Sequence, residues 1–243
     1  MKKILLLIIA TLALTGCSEK TEGSSDGLFS YNNSKILDKY ETKTLSENVT
    51  YKEITASDSD GNLELKLIVY NNTDKAIYVR ATGDGYKDGS RTTNQVTQGS
   101  YDVIAANSAG ILGFLFFGAD DYKITNFEVE EREGWLPNDA YIFEDYKIDV
   151  EKEEIELYFK YNSEGKNSTS LDILGFKNGN LIAGGSCFMR YIDENGKVDY
   201  KADISKKGDR VKCESSNIRF FTDSESLNDI DKYVYFYDGY YED

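Results

Sequence analysis

Short runs in which apolar and polar residues alternate dominate the chain from about residue 45 onward, with Asn, Asp and Gly between the runs. In Leu63–Val69 every second residue is aliphatic, and Glu64 and Lys66 lie between the aliphatic positions. A period of two places the aliphatic side chains on one face of a strand. No stretch after residue 17 keeps a helical period over a dozen residues, so the pattern predicts an all-β body.

An internal repeat divides this body into two similar halves. The strand pattern of residues 63–71 recurs at 155–162, and Gly-Tyr-Lys-Asp-Gly at 85–89 recurs as Gly-Phe-Lys-Asn-Gly at 175–179. The Asp-Gly and Asn-Gly pairs predict two-residue hairpins, because a type I′ turn needs positive φ at both central residues. The repeat predicts two homologous modules.

The predicted modules span residues 45–134 and 141–243, joined by a linker at 135–140 that contains the only tryptophan and the only proline of the chain. Each has strand patterns for six or seven short strands, which in the second include 187–192, 198–204 and 233–237. Modules of about this length with frequent turns are typical of immunoglobulin-like antiparallel β-sandwiches. The predicted fold is therefore all-β, with two tandem immunoglobulin-like modules.

The first seventeen residues have a different pattern. Two lysines precede an apolar run at Ile4–Leu14, which as a helix would be roughly 16 Å long, about half the thickness of a bilayer core. Such a segment is typical of a secretory signal. Its end, Leu14-Thr15-Gly16-Cys17, resembles the lipobox of bacterial lipoproteins. The resemblance implies that residues 1–16 are a signal peptide, that Cys17 is lipidated, and that the exported chain is anchored to the membrane.

Residues 17–44 are polar and lack a sustained period, so we interpret them as the lipidated cysteine and a flexible tether. Beyond them, the strand that runs into Asn-Asn-Thr-Asp-Lys at 71–75, and the loop at 105–110, resemble the modules of the FxLYD-like group of surface lipoproteins. That resemblance implies cell-surface modules without enzymatic activity.

Composition narrows the function. The chain carries 43 acidic and 28 basic residues, a net charge of −15, which excludes nucleic acid as a partner. It contains no histidine, and therefore no imidazole base and no Ser-His or Cys-His nucleophile. The sequence predicts no catalytic residue, no metal and no cofactor.

Three sequence patterns resemble catalytic or metal-binding motifs, but an ordinary structural interpretation is favoured for each. Ser163-x-x-Lys166 falls in a turn between strands, whereas a nucleophilic Ser-x-x-Lys motif opens a helix. Glu128 and Glu130 alternate with apolar residues, as on the solvated face of an edge strand. Asp58–Glu64 has oxygen ligands at alternate positions like a calcium loop, but its glycine is misplaced, so a hairpin turn is favoured over a calcium site.

Cysteine use leaves two alternatives. With Cys17 assigned to lipid, Cys187 and Cys213 form either one disulfide or two buried free thiols. A bridge between them would close a loop of about 27 residues.

The C-terminal strand offers a candidate binding face. Tyr233, Tyr235 and Tyr237 share one face of that strand, and Tyr240 and Tyr241 follow closely. If Val234 and Phe236 point into the core, the tyrosines form an exposed row suited to sugars or proteins; the alternative places them in the core.

The sequence thus predicts a membrane-anchored lipoprotein with non-catalytic modules that bind a protein or an envelope component. The alternative is an accessory protein that binds carbohydrate or cell wall through the C-terminal tyrosine face.

Overall fold

The computed structural model describes residues 27–31, 34–92, 98–133, 140–165, 167–215, 218–222 and 225–241. In these ranges the chain forms sixteen strands and two short 3₁₀ helices, Lys35–Lys39 and Leu227–Asp229, which confirms the all-β prediction. Within the same ranges, no helix has the length and apolar character needed to cross a bilayer.

The strands, in chain order, are β1 (Phe29–Tyr31), β2 (Thr42–Ser46), β3 (Val49–Ser57), β4 (Leu63–Asn71), β5 (Ala76–Lys87), β6 (Ser90–Arg91), β7 (Gln98–Ile104), β8 (Ser108–Phe116), β9 (Asp121–Arg132), β10 (Tyr141–Asp149), β11 (Glu154–Tyr161), β12 (Asn167–Lys177), β13 (Asn180–Tyr191), β14 (Arg210–Ser215), β15 (Arg219–Phe220) and β16 (Lys232–Tyr241).

The first module is a sandwich of two four-stranded sheets. One has the order β2-β3-β4-β8, and in the other β5 pairs with β6, β7 and β9. The aliphatic face predicted at Leu63–Val69 lies between the two sheets, where it packs against Val79 and Phe116. Burial of this alternating face is the main force that holds the two sheets together.

The second module is built from one eight-stranded sheet that folds back on itself. The shared strand is β13, which pairs with β12 along most of its length and with β14 at Met189–Tyr191. An inner half-sheet (β1-β16-β12-β13) therefore faces an outer half-sheet (β13-β14-β11-β10). Their common core includes Leu157, Phe159 and Val211 from the outer half and Ile173 from the inner half.

The two modules share an order of pairing. In the first, β4 pairs with β3 and β8, and β5 pairs with β9; in the second, β11 pairs with β10 and β14, and β12 pairs with β16. Both predicted two-residue hairpins are present, with positive φ at Asp88 and Gly89 and at Asn178 and Gly179. The common ancestry of the modules stays a prediction.

A third apolar core joins the modules to each other. Ile54, Ile68 and Ile111 from the sheet β2-β3-β4-β8 meet Phe176 and Phe236 from the inner half-sheet. The inner sheets of the two modules are thus buried on both faces, and the molecule is a stack of four β-layers. Glu64 shows the consequence: it lies opposite the aliphatic face of β4, yet it is only 5% exposed because the second module covers it.

The prediction of a flexible tether is wrong for residues 27–31 and 34–44, which are ordered. β1 pairs in parallel with β16, and the ring of Phe29 stacks on Tyr233 with centroids 4.5 Å apart. The helix Lys35–Lys39 then buries Leu37 in the core between the modules, and β2 joins the sheet of the first module. The segment lacks internal periodicity, but it is ordered here because β1 pairs with the distant β16, Leu37 is buried between the modules and β2 pairs with β3.

The remaining parts of the predicted boundaries lie outside the described residues, namely residues 17–26 of the tether and 135–139 of the linker. The predicted strand at 198–204 is wrong. The side chain of Asp193 accepts hydrogen bonds from the backbone N–H of Asn195 and Lys197, and that of Asp199 accepts from Lys201. These local turns compete with the extended conformation, and single-residue bridges, such as that between Ile192 and Val198, take the place of a strand.

Cys187 and Cys213 are joined in a disulfide across the point where β13 passes from the inner to the outer half-sheet. The bond links two buried residues that are 26 positions apart in the chain.

Removal of the disulfide has a predictable cost. The double substitution Cys187→Ala/Cys213→Ala should lower the free energy of unfolding by about 3 kcal/mol, because the unfolded chain regains the entropy of a loop of about 27 residues. Urea denaturation followed by circular dichroism measures this. The wild-type chain in reductant should match the variant, and a variant as stable as the oxidised wild type would contradict the prediction.

The core between the modules should couple their stabilities. Phe236→Ala removes a fully buried ring at this interface and should cost about 3–5 kcal/mol. Amide hydrogen exchange should then accelerate in β4 of the first module as well as in β16. The control is Phe117→Ala, an exposed position on which we expect no comparable effect. Faster exchange confined to β16 would show that the modules are independent.

Candidate functional site

The tyrosines predicted as a binding face lie inside the second module. Tyr233 and Tyr235 are 1% and 4% exposed and belong to its core, and the Tyr237 hydroxyl donates a hydrogen bond to the Tyr141 carbonyl oxygen. Burial raises the pKa of Tyr237 well above its usual value. The prediction of an exposed row is wrong, because Val234 and Phe236 face the core between the modules and leave neither face of β16 to solvent.

Tyr240 and Tyr241 belong to the end of β16, but their side chains, like the whole of Cys17, lie outside the part of the chain that is described.

The acidic turn at Asp58 is a hairpin turn between β3 and β4. Asp58 accepts hydrogen bonds from the N–H groups of Asp60 and Asn62 and from the Asn62 side chain, and it pairs with Arg219 at 2.7 Å. Its oxygens are therefore engaged within the protein. Among the described residues no group of three acidic or cysteine side chains is arranged to hold a metal ion.

The other two acidic or nucleophilic patterns have similarly ordinary positions. Glu128 and Glu130 are exposed on β9, as expected for the solvated face of an edge strand. Ser163 lies in the turn after β11, and Lys166 of the same motif is outside the described residues.

A cleft of about 290 Å³ opens between the modules. Its charged residues include Lys66 and Arg219 beside Glu64, and Arg219 donates to Glu64 Oε1 at 2.9 Å. The same guanidinium reaches Asp58, so one arginine of the second module ties two carboxylates of the first. These charges are used to join the modules.

A different surface, the outward face of the outer half-sheet, carries a cluster of cations. Residues that point into the core alternate along its strands with residues that point outward, several of which are cations. The pairing register of the strands places these cations side by side. Lys160 lies opposite Arg210 in the β11–β14 ladder, and Arg190 lies opposite Lys212 in the β13–β14 ladder. Four positive side chains therefore occupy neighbouring positions of one face in a strongly acidic protein.

Large apolar side chains border these cations. Phe188, on β13, is 62% exposed, Tyr200 is 78% exposed, and Ile142 on β10 lies opposite Lys160. The Arg190 guanidinium lies 5.4 Å from the centre of the Phe188 ring and 6.0 Å from that of Tyr200, within the range of cation–π attraction. We call this surface the basic-aromatic patch; its members are Ile142, Lys160, Phe188, Arg190, Tyr200, Arg210 and Lys212.

Lys212 is the best-anchored member of the patch. It donates to Glu156 Oε1 at 2.6 Å and lies 2.6 Å from Glu214 Oε2. Burial acts to lower its pKa, but the two carboxylates outweigh burial and raise it. For Glu156, burial acts to raise the pKa, but hydrogen bonds from Lys212 and Tyr158 bring it below its usual value.

Carboxylates also lie on this face, toward the β10–β11 hairpin. Asp149 lies opposite Glu154 and pairs with Lys152, and Glu156 pairs with Lys147. This end of the face therefore carries paired charges of both signs, and the basic-aromatic patch lies toward the other end.

Sequence reasoning missed this patch, although two signals point to it. Residues 197–212 contain six basic and three acidic residues, a locally positive stretch in a chain of net charge −15. Once Cys187 is placed inside, a period of two puts Phe188 and Arg190 outside. The position of Tyr200 is not predictable in this way, because it lies in an irregular segment.

The start of the chain identifies its class. Residues 1–18 match the family model for the prokaryotic membrane lipoprotein lipid attachment site. The chain is an exported lipoprotein, anchored to the bacterial membrane. This match confirms the prediction made from Leu14–Cys17, while the resemblance of the modules to the FxLYD-like group stays a prediction.

Among solved structures, the lipoprotein is similar to the crystal structure of red sea bream transglutaminase, with 11% identity over 81% of this chain and a TM-score of 0.24. The match spans 31% of the transglutaminase chain, and a score this low carries no argument about fold or activity. A comparison with curated proteins finds no match.

The ion pair at the centre of the patch makes stability depend on pH. Lys212→Gln should lower the free energy of unfolding at pH 7 by about 1–3 kcal/mol, because Glu156 loses a charged partner in a partly buried site. The pKa of Glu156 is lowered by folding, so its contribution is complete above the unfolded pKa and is lost as pH falls through the folded pKa. The gap between variant and wild type should therefore shrink below about pH 4.

Urea denaturation at pH 7 and pH 3 measures this gap. Lys87→Gln, an exposed position in the first module, serves as the control and should leave stability nearly unchanged at both pH values. A gap of equal size at pH 3 would contradict the role assigned to Glu156.

Proposed function

We propose that this lipoprotein is a non-catalytic binding protein whose basic-aromatic patch engages a component of the bacterial envelope. The observation that carries the proposal is the coincidence of exposed aromatic rings with cations on one face of the second module. Aromatic and arginine side chains dominate the binding energy of many interfaces. Arg190 between Phe188 and Tyr200 provides both kinds of group within one small surface.

Several features support a binding role in preference to catalysis. The chain contains no histidine, Tyr233 and Tyr235 of β16 are buried, and the carboxylates near the cleft are held by Arg219. The charged groups described here hold the fold together or face outward on a sheet. Tandem immunoglobulin-like modules of common ancestry, displayed at the cell surface, also belong to this proposal; the shared order of strand pairing supports it.

A carbohydrate or cell-wall ligand is the second candidate. Phe188 and Tyr200 border a depression of about 200 Å³ that is also lined by Arg190, Lys212 and the carboxylate of Glu214. Exposed rings offer flat apolar faces for stacking against sugars. This hypothesis moves the predicted sugar-binding site from the C-terminal tyrosines to the outward face of the outer half-sheet.

The proposal is tested by comparing binding of the mature chain and a patch variant. Phe188→Ser/Arg190→Gln/Tyr200→Ser should retain at least tenfold less of the captured envelope component, because it removes both rings and the cation between them. Immobilised protein is incubated with detergent-solubilised envelope, and a glycan array is probed in parallel. Retention on the array that depends on the two rings would favour the carbohydrate candidate.

The matched control is Phe117→Ser, which removes an exposed ring of the first module. All variants must melt like the wild type, as expected for changes at exposed positions. If the patch variant captures as much as the wild type and the Phe117 variant does, the patch is not the binding surface and the proposal fails.

A further inference from the structure

The arrangement of the cations in the basic-aromatic patch lowers the stability of the isolated protein. Like charges directly opposite each other on neighbouring strands destabilise a sheet, and the patch contains two such pairs, Lys160 with Arg210 and Arg190 with Lys212. Of these four, only Lys212 lies within ion-pair distance of a carboxylate among the described residues. Among the described residues, Lys160, Arg190 and Arg210 lie outside ion-pair distance of any carboxylate, so an external anion can approach them.

The apolar members of the patch specify what kind of anionic surface fits. Ile142, Phe188 and Tyr200 lie around the cations and are exposed to solvent. Cations beside exposed aromatic and aliphatic side chains are the combination found at the interface of a lipid bilayer, where rings lie at headgroup depth and Lys and Arg meet the phosphates.

The lipid anchor places such a surface within reach. Phe29, near the start of the described chain, packs against Tyr146 of β10, and Ile142 of the patch lies four residues away on the same strand, roughly 14 Å. Cys17 precedes Gly27 by ten residues, which can span at most about 36 Å. The lipidated cysteine can therefore enter the bilayer while the patch lies on its surface.

We infer that the envelope component which the patch binds is the anionic lipid surface of the membrane that holds Cys17, an inference that rests on the proposed function. Lys160, Arg190 and Arg210 contact lipid phosphates, and the rings of Phe188 and Tyr200 enter the headgroup layer. The outer half-sheet then faces the membrane, and the first module points away from it.

The net charge of the chain explains why the anchor and the patch act together. A protein of net charge −15 is repelled by an anionic bilayer as a whole, so a few cations cannot recruit it from solution. Lipidation turns the contact into an intramolecular event with a high effective concentration of lipid headgroups. A weak local attraction is then sufficient to set the orientation of the anchored protein.

The test measures how close the patch lies to the lipid. The lipidated mature protein is reconstituted into vesicles of phosphatidylcholine, with or without 30% phosphatidylglycerol, that contain lipids spin-labelled at the headgroup. A fluorophore is attached at Lys201→Cys, an exposed position beside Tyr200, in one sample and at Phe117→Cys, in the first module, in another. We expect at least twofold stronger quenching at position 201 than at position 117 in anionic vesicles, and loss of this difference in 1 M salt, where charges are screened.

Charge variants provide the matched comparison, each made with the fluorophore at position 201. Lys160→Gln/Arg190→Gln/Arg210→Gln should abolish the excess quenching, whereas Arg80→Gln/Lys87→Gln/Lys123→Gln, with the same loss of charge from the first module, should preserve it. Both must melt as a folded protein before reconstitution.

Equal quenching at the two positions, or quenching that ignores the patch cations, would overturn the inference. If capture of a non-lipid envelope component still depended on the patch, the proposed function would survive with a different partner, an acidic protein or a glycan. If neither capture nor quenching depended on the patch, both proposals would fail.

Discussion

The structure depends on one apolar interface, the core that joins the inner sheets of the two modules. Because both faces of these sheets are buried, strand β16 must satisfy two cores at once. Tyr233 and Tyr235 pack inside the second module, while Val234 and Phe236 pack against the first. A strand buried on both faces contains a nearly continuous run of large residues, and the C-terminal sequence is explained by this constraint rather than by ligand binding.

The same constraint decides where the surface is available for other molecules. Two of the four β-layers are interior, so only the outermost layers present whole sheet faces to solvent. Of these, the outer half-sheet of the second module carries the cations of the basic-aromatic patch and, among the described residues, the most exposed rings, Phe188 and Tyr200. The polar groups of the inner layers, such as Glu64 and Arg219, form bonds across the interface.

Local patterns in the sequence predict the local structure well. The hairpins at Asp88-Gly89 and Asn178-Gly179 follow from the φ angles that their turn type requires, and the alternating residues of β4 follow from its core. Alternation cannot show what covers the opposite face of a strand, because a second module and water leave similar patterns around Glu64. The ordered structure of residues 27–31 could not be predicted either, because β1 pairs with a strand some two hundred residues away. The basic-aromatic patch needs the register of three strands, which no single stretch of sequence contains.

The parallel pairing of β1 with β16 gives the anchor a mechanical role. A drag force on the exported domain is balanced at the lipid, and it enters the fold at Gly27 and Leu28, whose carbonyl oxygens accept hydrogen bonds from β16. Load directed along β1 acts on its ladder hydrogen bonds simultaneously, in shear, and the stacked ring of Tyr233 shares it. The helix Lys35–Lys39 and the following Tyr40 connect to both modules, because Lys52 of the first donates to the Leu37 carbonyl oxygen and Tyr40 donates to that of Gly179 in the second. The protein is therefore held to the cell through its inner half-sheet, and both modules share the load.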